Sequence, residues 1–418
     1  MSRFPRDDYR SLGRYLPDRR RVAVDLSDNT NLWGPHPAAL RTVREADPAS
    51  LAGYPDLYAQ PLKDAVERRF GVPAAHVCTG CGSDDILDAA FRAACQVGGL
   101  VRHVVPTFSM IGPLTRMNGR VEGPVRWSRA MADPLTLLED EPVLVYVCRP
   151  NNPTGHQVGR RWLDALFRAV EARGADAPLV LVDEAYADFA GDSLVREAPA
   201  LHRVLVLRTL SKAYGLAGLR VGWGVGSVEV VDEVEKARGP YKVSRLAEAA
   251  AVAALDDADG WVDRVLAECL ENRARLVRAL AGRKLSPFPS STNFVLFPVA
   301  RGTAREKALA LREKGVAVRP FDDDDDVGDA LRVTVGPWAL IERFLAVLDE
   351  LGRADPGAWR APDDAAERLA AVADPAARRA GTASRAGEAP ETGETHEAPE
   401  AGKIPDAAET PEAREAGP

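Results

Sequence analysis

Short, uninterrupted apolar runs punctuate the chain and alternate with stretches of helical period. LVRHVV (100–105), VLVYV (143–147), LVLV (179–182) and VLVL (204–207) are such runs. At this length and purity they predict strands buried on both faces, the signature of a parallel sheet covered by helices. The intervening segments read as helices. PLKDAVERRFG (61–71) is amphipathic and closed by Gly71 as a C-cap, and 160–173 ends near Gly174. A helix opens at Ser83, Asp84 and Asp85, acidic residues that suit a first turn. The alternation from about 75 to 225 predicts an α/β fold with a mostly parallel sheet and crossover helices.

Before this block, residues 1–25 are basic and read as an arm or short helix, and LSDNTNLWGPHPAAL (26–40) is a turn-rich lead into a helix after Pro37. After it come an alanine-rich helix within 236–255, a long helix over 261–282, and strands within 286–297, 315–321 and 330–336. From about 355 the composition changes. Residues 381–418 are Ala, Gly, Glu, Pro and Thr with almost no large apolar side chains, so burial cannot offset ordering entropy and disorder is expected.

At 418 residues with 46% apolar composition, two lobes plus extensions are expected. A net charge of −8 with mixed signs argues against a nucleic-acid surface. No apolar run approaches the roughly 20 residues of a membrane span, and MSRFPRDDYR lacks the apolar core of a secretory signal. Five cysteines, several in apolar segments, read as free thiols in a reducing cytoplasm. Cys78-Thr-Gly-Cys81 has no second pair or histidine cluster beside it, so no metal is expected.

The chemistry concentrates in VLVLRTLSKAYGLAGLRVGWG (204–224). A strand ends in Arg208, Thr209 and Ser211; Lys212 follows, then small residues and Arg220. Desolvation and a nearby guanidinium favour a neutral, nucleophilic amine, while the same guanidinium and hydroxyls can hold a phosphate. That combination suits Schiff-base chemistry on a phosphorylated aldehyde cofactor; without its flanking pattern, Lys212 would read as a surface lysine in a loop. VCTGCGSDDIL (77–87) passes from a short strand through glycines into a helix, where the N–H groups of Gly82, Ser83 and Asp84 would form an anion cradle. Phe108 at a strand end suits stacking on a flat ring, or simply the core. Asp183 closes an apolar strand, where ligands bind in open α/β sheets; read alone, it fits a helix cap as well.

S-K-x-x-G-x-x-G-x-R (211–220) resembles the lysine motif of the fold-type-I pyridoxal phosphate enzymes, and SKAYGLAGLRVGW is most similar to the histidinol-phosphate aminotransferase branch of the class I/II aminotransferases. The likeness spans about 25–350 and rests on the ordered set Asn152, Asp183, Tyr186, Lys212, Arg220 and Arg332. It implies a large domain with a seven-stranded, mostly parallel sheet (51–240), a smaller α/β domain from both chain ends (1–50 with the arm, and 241–354), and a tail (355–418). It implies pyridoxal 5'-phosphate as cofactor, Lys212 as its Schiff-base partner, Asp183 paired to the pyridine nitrogen, and Asn152 and Tyr186 on the phenolic oxygen. Thr209, Ser211 and Arg220 join the phosphate cradle. Arg332 and Arg319 match substrate-binding arginines, Arg332 for an α-carboxylate. Tyr54 reaches the neighbouring subunit's cofactor phosphate in a homodimer, or is a packing tyrosine.

The implied activity is cytoplasmic transamination between an amine donor (histidinol phosphate or an aromatic amino acid) and 2-oxoglutarate as keto-acid acceptor. A threonine-phosphate-type decarboxylase, a specialised biosynthetic aminotransferase and a non-catalytic cofactor-binding protein are the other readings. Thr30, Leu32, Asp85, Ile111 and Lys242 depart from the family pattern, and the run Asp322 to Asp326 would repel anions if it stood near the mouth of the site.

Overall fold

The computed structural model describes residues 4–365 with the exception of 11, 15, 17, 19, 95, 323–325, 356–358, 360 and 361. All of them belong to one compact unit, residues 1–378. The segment from 381, expected to be disordered, lies outside the described residues, as do Cys95 and the middle of the aspartate run.

The described strands are, in chain order, β1 (Val24–Asp25), β2 (Val77–Gly80), β3 (Leu100–Val105), β4 (Val121–Arg126), β5 (Leu144–Cys148), β6 (Leu179–Asp183), β7 (Val204–Thr209), β8 (Gly222–Gly226), β9 (Phe294–Pro298), β10 (Val316–Ala317), β11 (Arg319–Phe321) and β12 (Ala330–Thr334). The apolar runs of the sequence become the middle of a seven-stranded sheet ordered β2-β8-β7-β6-β5-β3-β4. β8 runs antiparallel to both its neighbours, and the other pairings are parallel. β5 and β7 are buried at every residue and β6 at all but its first.

The strand alternation divides the core in two. Leu144, Tyr146, Leu181, Leu205 and Leu207 pack with Ile86, Phe91, Val230 and Val234, which come from the helices Ser83–Ala94 and Val228–Arg238. Val145, Val147, Val180, Val182, Val204 and Val206 face the other way into a larger cluster that continues through Phe294, Phe297 and Phe344. Each fully buried Val, Leu or Phe contributes about 1.5–3 kcal/mol, so both faces of these strands are strongly specified.

The C-terminal third adds an antiparallel sheet, β11-β12-β9, and β1 pairs with β10 in parallel. The single strand expected over 315–321 is two. Val316 and Ala317 pair with β1, whereas Arg319 to Phe321 pair with β12. Pro320, lacking an N–H, is tolerated because β11 is an edge strand. The strand expected within 286–297 begins only at Phe294. Pro287 and Pro289 deny it ladder donors, and Ser290 and Thr292 turn the chain, with Thr292 N donating to Ser290 Oγ at 3.1 Å and Phe294 N to Thr292 Oγ1 at 3.2 Å. The helix Gln60–Phe70 ends on Gly71 at φ +71°, as its sequence requires, and the long helix runs Trp261–Gly282.

Candidate active site

The C-terminal ends of β3, β5, β6 and β7 converge on a cavity of about 810 Å³. β3 and β5 are neighbours although β4 lies between them in sequence, which places a switch in strand order at this edge of the cleft. Phe108, Asn152, Asp183, Tyr186 and Lys212 line the cavity from the sheet side. Ser83, Asp84, Thr209, Ser211 and Arg220 line one end, and Arg319 and Arg332 line the wall contributed by the small sheet. A second cavity, of about 1050 Å³, lies at the opposite ends of the strands and contains none of these residues.

Lys212 sits three residues beyond β7 on a loop drawn tight by Gly215. This glycine has φ +69°, and a Cβ there would lie 2.2 Å from Gly34 O. Asn31 Nδ2 donates to Ala213 O at 2.8 Å and ties the loop to the same segment. Lys212 Nζ lies 3.4 Å from Asp28 O and 5.8 Å from the centre of the Tyr186 ring. Burial, and secondarily the Arg332 guanidinium, bring its pKa down to about 8. An appreciable neutral fraction then exists near neutral pH, as a nucleophile or base requires.

Asp183 ends β6 and is only 4% exposed. Its Oδ2 accepts from Tyr146 OH at 2.8 Å and its Oδ1 from Ala185 N at 3.0 Å. Burial nevertheless pushes its pKa up to about 6, against the pull of these two bonds. Tyr146 was not singled out by the sequence reading. It lies on β5 two residues before Cys148, the register partner of Asp183, and therefore on the same face. Its hydroxyl inside an otherwise apolar strand is a signal, but one that leads to Asp183 only through the register of β5 with β6.

Tyr186 is buried and its hydroxyl accepts from Asn29 Nδ2 at 3.0 Å, leaving its own hydrogen to donate. Burial raises its pKa, so it stays protonated. Arg332 Nη2 donates to Ser27 O at 2.8 Å and Nη1 to Asn152 Oδ1, while its guanidinium lies 5.1 Å from the Phe294 ring and 5.4 Å from that of Phe321. This holds its planar fork in one orientation against the cleft.

At the other end, Arg220 occupies the left-handed region at φ +55° and donates to Asp84 Oδ2 at 3.3 Å. Its guanidinium lies close over Gly82, where a Cβ would come within 2.6 Å of Nη2. Gly222 is equally constrained, its missing Cβ falling 2.4 Å from Ser83 N. The cradle expected from Gly82, Ser83 and Asp84 needs one correction: Gly82 N–H is committed to Gly80 O at 2.8 Å. The donors are the first amides of the helix, Ser83 and Asp84, which have no intrahelical partner by position, and Gly82 serves by having no side chain. Thr209 Oγ1 and Ser211 Oγ, 2.9 Å apart, complete this end.

Tyr54 stands outside the cavity, 79% exposed and stacked on Tyr241 with ring centres 4.9 Å apart. Cys78, Cys81, Cys148 and Cys269 are free thiols. Among the described residues no group of His, Cys, Asp and Glu could hold a metal ion, and no helix is long and apolar enough to cross a membrane.

These residues fit pyridoxal 5'-phosphate. One end of the cleft offers helix-terminal amides, two hydroxyls and a guanidinium in a hollow that a single Cβ at position 82 would fill. The middle offers a buried carboxylate suited to a cationic ring nitrogen, with a lysine of depressed pKa in the same cavity.

Comparison with known proteins agrees. A sequence model of the family "Aminotransferase class I and II" matches residues 21–348. The aromatic amino acid aminotransferase of Streptomyces coelicolor is 37% identical over 79% of this chain and 90% of its own length. The histidinol-phosphate aminotransferase of Roseiflexus castenholzii is 34% identical over 80% and 91%. Among solved structures, histidinol-phosphate aminotransferase from Sinorhizobium meliloti in complex with pyridoxal-5'-phosphate superimposes with a TM-score of 0.75 at 26% identity, over 85% of this chain and 98% of that one. The L-threonine-O-3-phosphate decarboxylase of Porphyromonas gingivalis, at 19% identity and a TM-score of 0.68, shares the fold. The chain belongs to the class I and II aminotransferases, as a fold-type-I, pyridoxal-phosphate-dependent enzyme close to the histidinol-phosphate aminotransferases.

Proposed function

We propose that the enzyme moves an amino group from an aromatic amino acid or histidinol phosphate to 2-oxoglutarate, with Lys212 as the amine that takes up the cofactor and as the proton carrier of the reaction. The supporting observation is that Lys212 and Asp183, beyond and at the ends of adjacent parallel strands, share one cavity with Arg332 on its opposite wall. The names of the similar enzymes supply the donor classes.

Bound pyridoxal 5'-phosphate supplies an aldehyde that captures amines and a ring that withdraws electrons from the substrate's α-carbon. Asp183 keeps a proton on the ring nitrogen by accepting its hydrogen bond. Tyr186 and Asn152 would serve the cofactor's phenolic oxygen, and Phe108 would support its ring. Ser83, Asp84, Thr209, Ser211 and Arg220 hold the phosphate. Arg332 clamps the substrate α-carboxylate through its fork. Lys212 would supply the amine that holds the cofactor's aldehyde and, when neutral, the base for the substrate's α-proton. On the same reading the enzyme is a cytoplasmic homodimer in which Tyr54 of one copy completes the site of the other.

The test is to follow the visible absorbance of the bound cofactor in single half-reactions with histidinol phosphate, tyrosine and phenylalanine, in wild type and Lys212→Ala. Rapid spectral change in wild type with at least one donor, lost with the visible band in the variant, is expected. Normal turnover by the variant, or carbon dioxide release without a keto product, would overturn the assignment.

A further inference from the structure

Arg319 and Arg332 are register partners on the antiparallel strands β11 and β12, and both line the cavity. Like charges facing each other across a ladder repel, so each guanidinium needs acceptors. Arg332 finds them in Ser27 O and Asn152 Oδ1 between two phenyl rings. Arg319 is met by a full carboxylate: its Nη2 donates to Asp28 Oδ1 at 2.8 Å, with both side chains about three-quarters buried, at 25% and 21% exposure. Asp28 also lies on the segment whose backbone contacts the reacting amine, since Asp28 O is 3.4 Å from Lys212 Nζ. Further out, Arg305, another cavity-lining cation, is paired with Asp322.

We propose that Asp28 is a specificity-determining residue that competes with a substrate's second anionic group for Arg319. The site then favours α-amino acids with uncharged aromatic side chains over substrates with a distal phosphate or carboxylate. This rests on the aminotransferase reading, with Arg332 as the carboxylate clamp. A distal phosphate or carboxylate that approaches Arg319 must displace the Asp28 carboxylate or lie against it, and meets like-charge repulsion either way. An aromatic side chain avoids that conflict and finds an apolar wall at Phe321. The same competition acts in both halves of the reaction, so it also raises the KM of a dicarboxylate acceptor such as 2-oxoglutarate.

The experiment compares holoenzyme half-reactions of wild type, Asp28→Ala and Asp28→Asn with phenylalanine, histidinol phosphate, 2-oxoglutarate and phenylpyruvate. Removing the charge should lower KM for histidinol phosphate and 2-oxoglutarate by about twofold to fivefold, the range of a partly exposed ion pair. Removing Asp28 also withdraws a negative charge from near Lys212, which acts on all four substrates alike, so the expected signature is a shift of this size in the ratio of KM values relative to phenylalanine and phenylpyruvate. Asn, which keeps the shape and an acceptor, should move the selectivity in the same direction as Ala. A loss shared equally by all four substrates, or no change in their ratio, would overturn the inference. A wild-type enzyme that reacts with no donor would overturn the function reading itself, and with it this one; a reactive wild type whose selectivity is insensitive to Asp28 sinks this inference alone.

Discussion

Replacing Asp183 with Asn should stabilise the apoenzyme at neutral pH while weakening the holoenzyme. In the folded protein without cofactor, burial brings the Asp183 pKa from 3.8 to about 6. The folded state therefore holds this proton more tightly than the unfolded one. Below about pH 4 both states are protonated and the group costs nothing; between about pH 4 and 6 stability falls as the pH rises. Above that window the full cost applies, about two pK units or about 3 kcal/mol. Asn cannot ionise; its single oxygen can still accept from Ala185 N, while its NH2 takes the place of the oxygen that faces Tyr146 OH and donates to that hydroxyl instead. Urea unfolding of both apoproteins from pH 4 to pH 7.5 should show the variant gaining up to about 3 kcal/mol relative to wild type across that window. With cofactor bound the order should reverse, because a charge-assisted bond to a cationic ring nitrogen is worth about 1.5–3 kcal/mol. Cofactor affinity should then fall about 10- to 100-fold in the variant. A stability difference between the two apoproteins that does not change with pH would refute the claim that Asp183 is a desolvated carboxylate awaiting a cationic partner.

Two further outcomes follow from the cleft. Gly82→Ala puts a Cβ 2.6 Å from Arg220 Nη2 at a backbone φ of +78°, so cofactor affinity measured by equilibrium dialysis should fall about tenfold, for a strain of about 1–2 kcal/mol; unchanged affinity would mean that Arg220 does not serve the phosphate. Arg332→Lys loses the fork that spans Ser27 O and Asn152 Oδ1, so KM for α-amino acids should rise at least about tenfold, while KM for a primary amine lacking a carboxylate should not.

What the sequence revealed of this site depends on where each residue stands relative to an apolar run. Asp183 terminates such a run, and Lys212 and Asn152 lie just beyond their own, so burial of the runs alone predicts that all three reach the same end of a parallel sheet. Tyr146 stands inside its run, where its ring reads as core and its hydroxyl becomes meaningful only once β5 is in register with β6. Asp28 is harder to see: its partner Arg319 is 291 residues away, and no local pattern links a turn-rich leader to an edge strand. The division of 315–321 between two sheets is half non-local: β12 follows β11 closely in sequence, but β1, which takes Val316 and Ala317, comes from near the start of the chain. Gly82 lies beside the cleft, but not with the free amide its sequence suggests. A glycine before a helix suggests a free amide, but only coordinates show that amide bonded to Gly80 O and the absent Cβ making room for Arg220.

A cleft that imposes this cost on Asp183 needs something else to hold its geometry before the cofactor arrives, and the adjacent residue provides it. Glu184 is fully buried, with Oε1 accepting from Leu194 N at 2.8 Å and Oε2 from Ser193 Oγ. Arg149 Nη1 lies 3.6 Å from one of its oxygens and Arg208 Nη1 3.8 Å from the other. Those guanidiniums are in turn paired with Asp192 and Asp188. Arg149 directly follows β5, Glu184 directly follows β6, and Arg208 is the penultimate residue of β7. One network of buried charges thus clamps the C-terminal ends of three neighbouring strands, from which Asn152, Asp183 and Lys212 project. Removing Glu184 would leave Arg149 and Arg208 buried without their shared carboxylate, at a cost of about 3–5 kcal/mol for a typical buried pair; Asp192, half exposed, would cost less. Burial raises the pKa of both consecutive carboxylates, but their partners differ. Glu184 has two hydrogen bonds and two guanidiniums from the protein and fixes the frame. Asp183 has only the Tyr146 hydroxyl and one backbone amide, so a cationic cofactor ring nitrogen would be its first close charged partner.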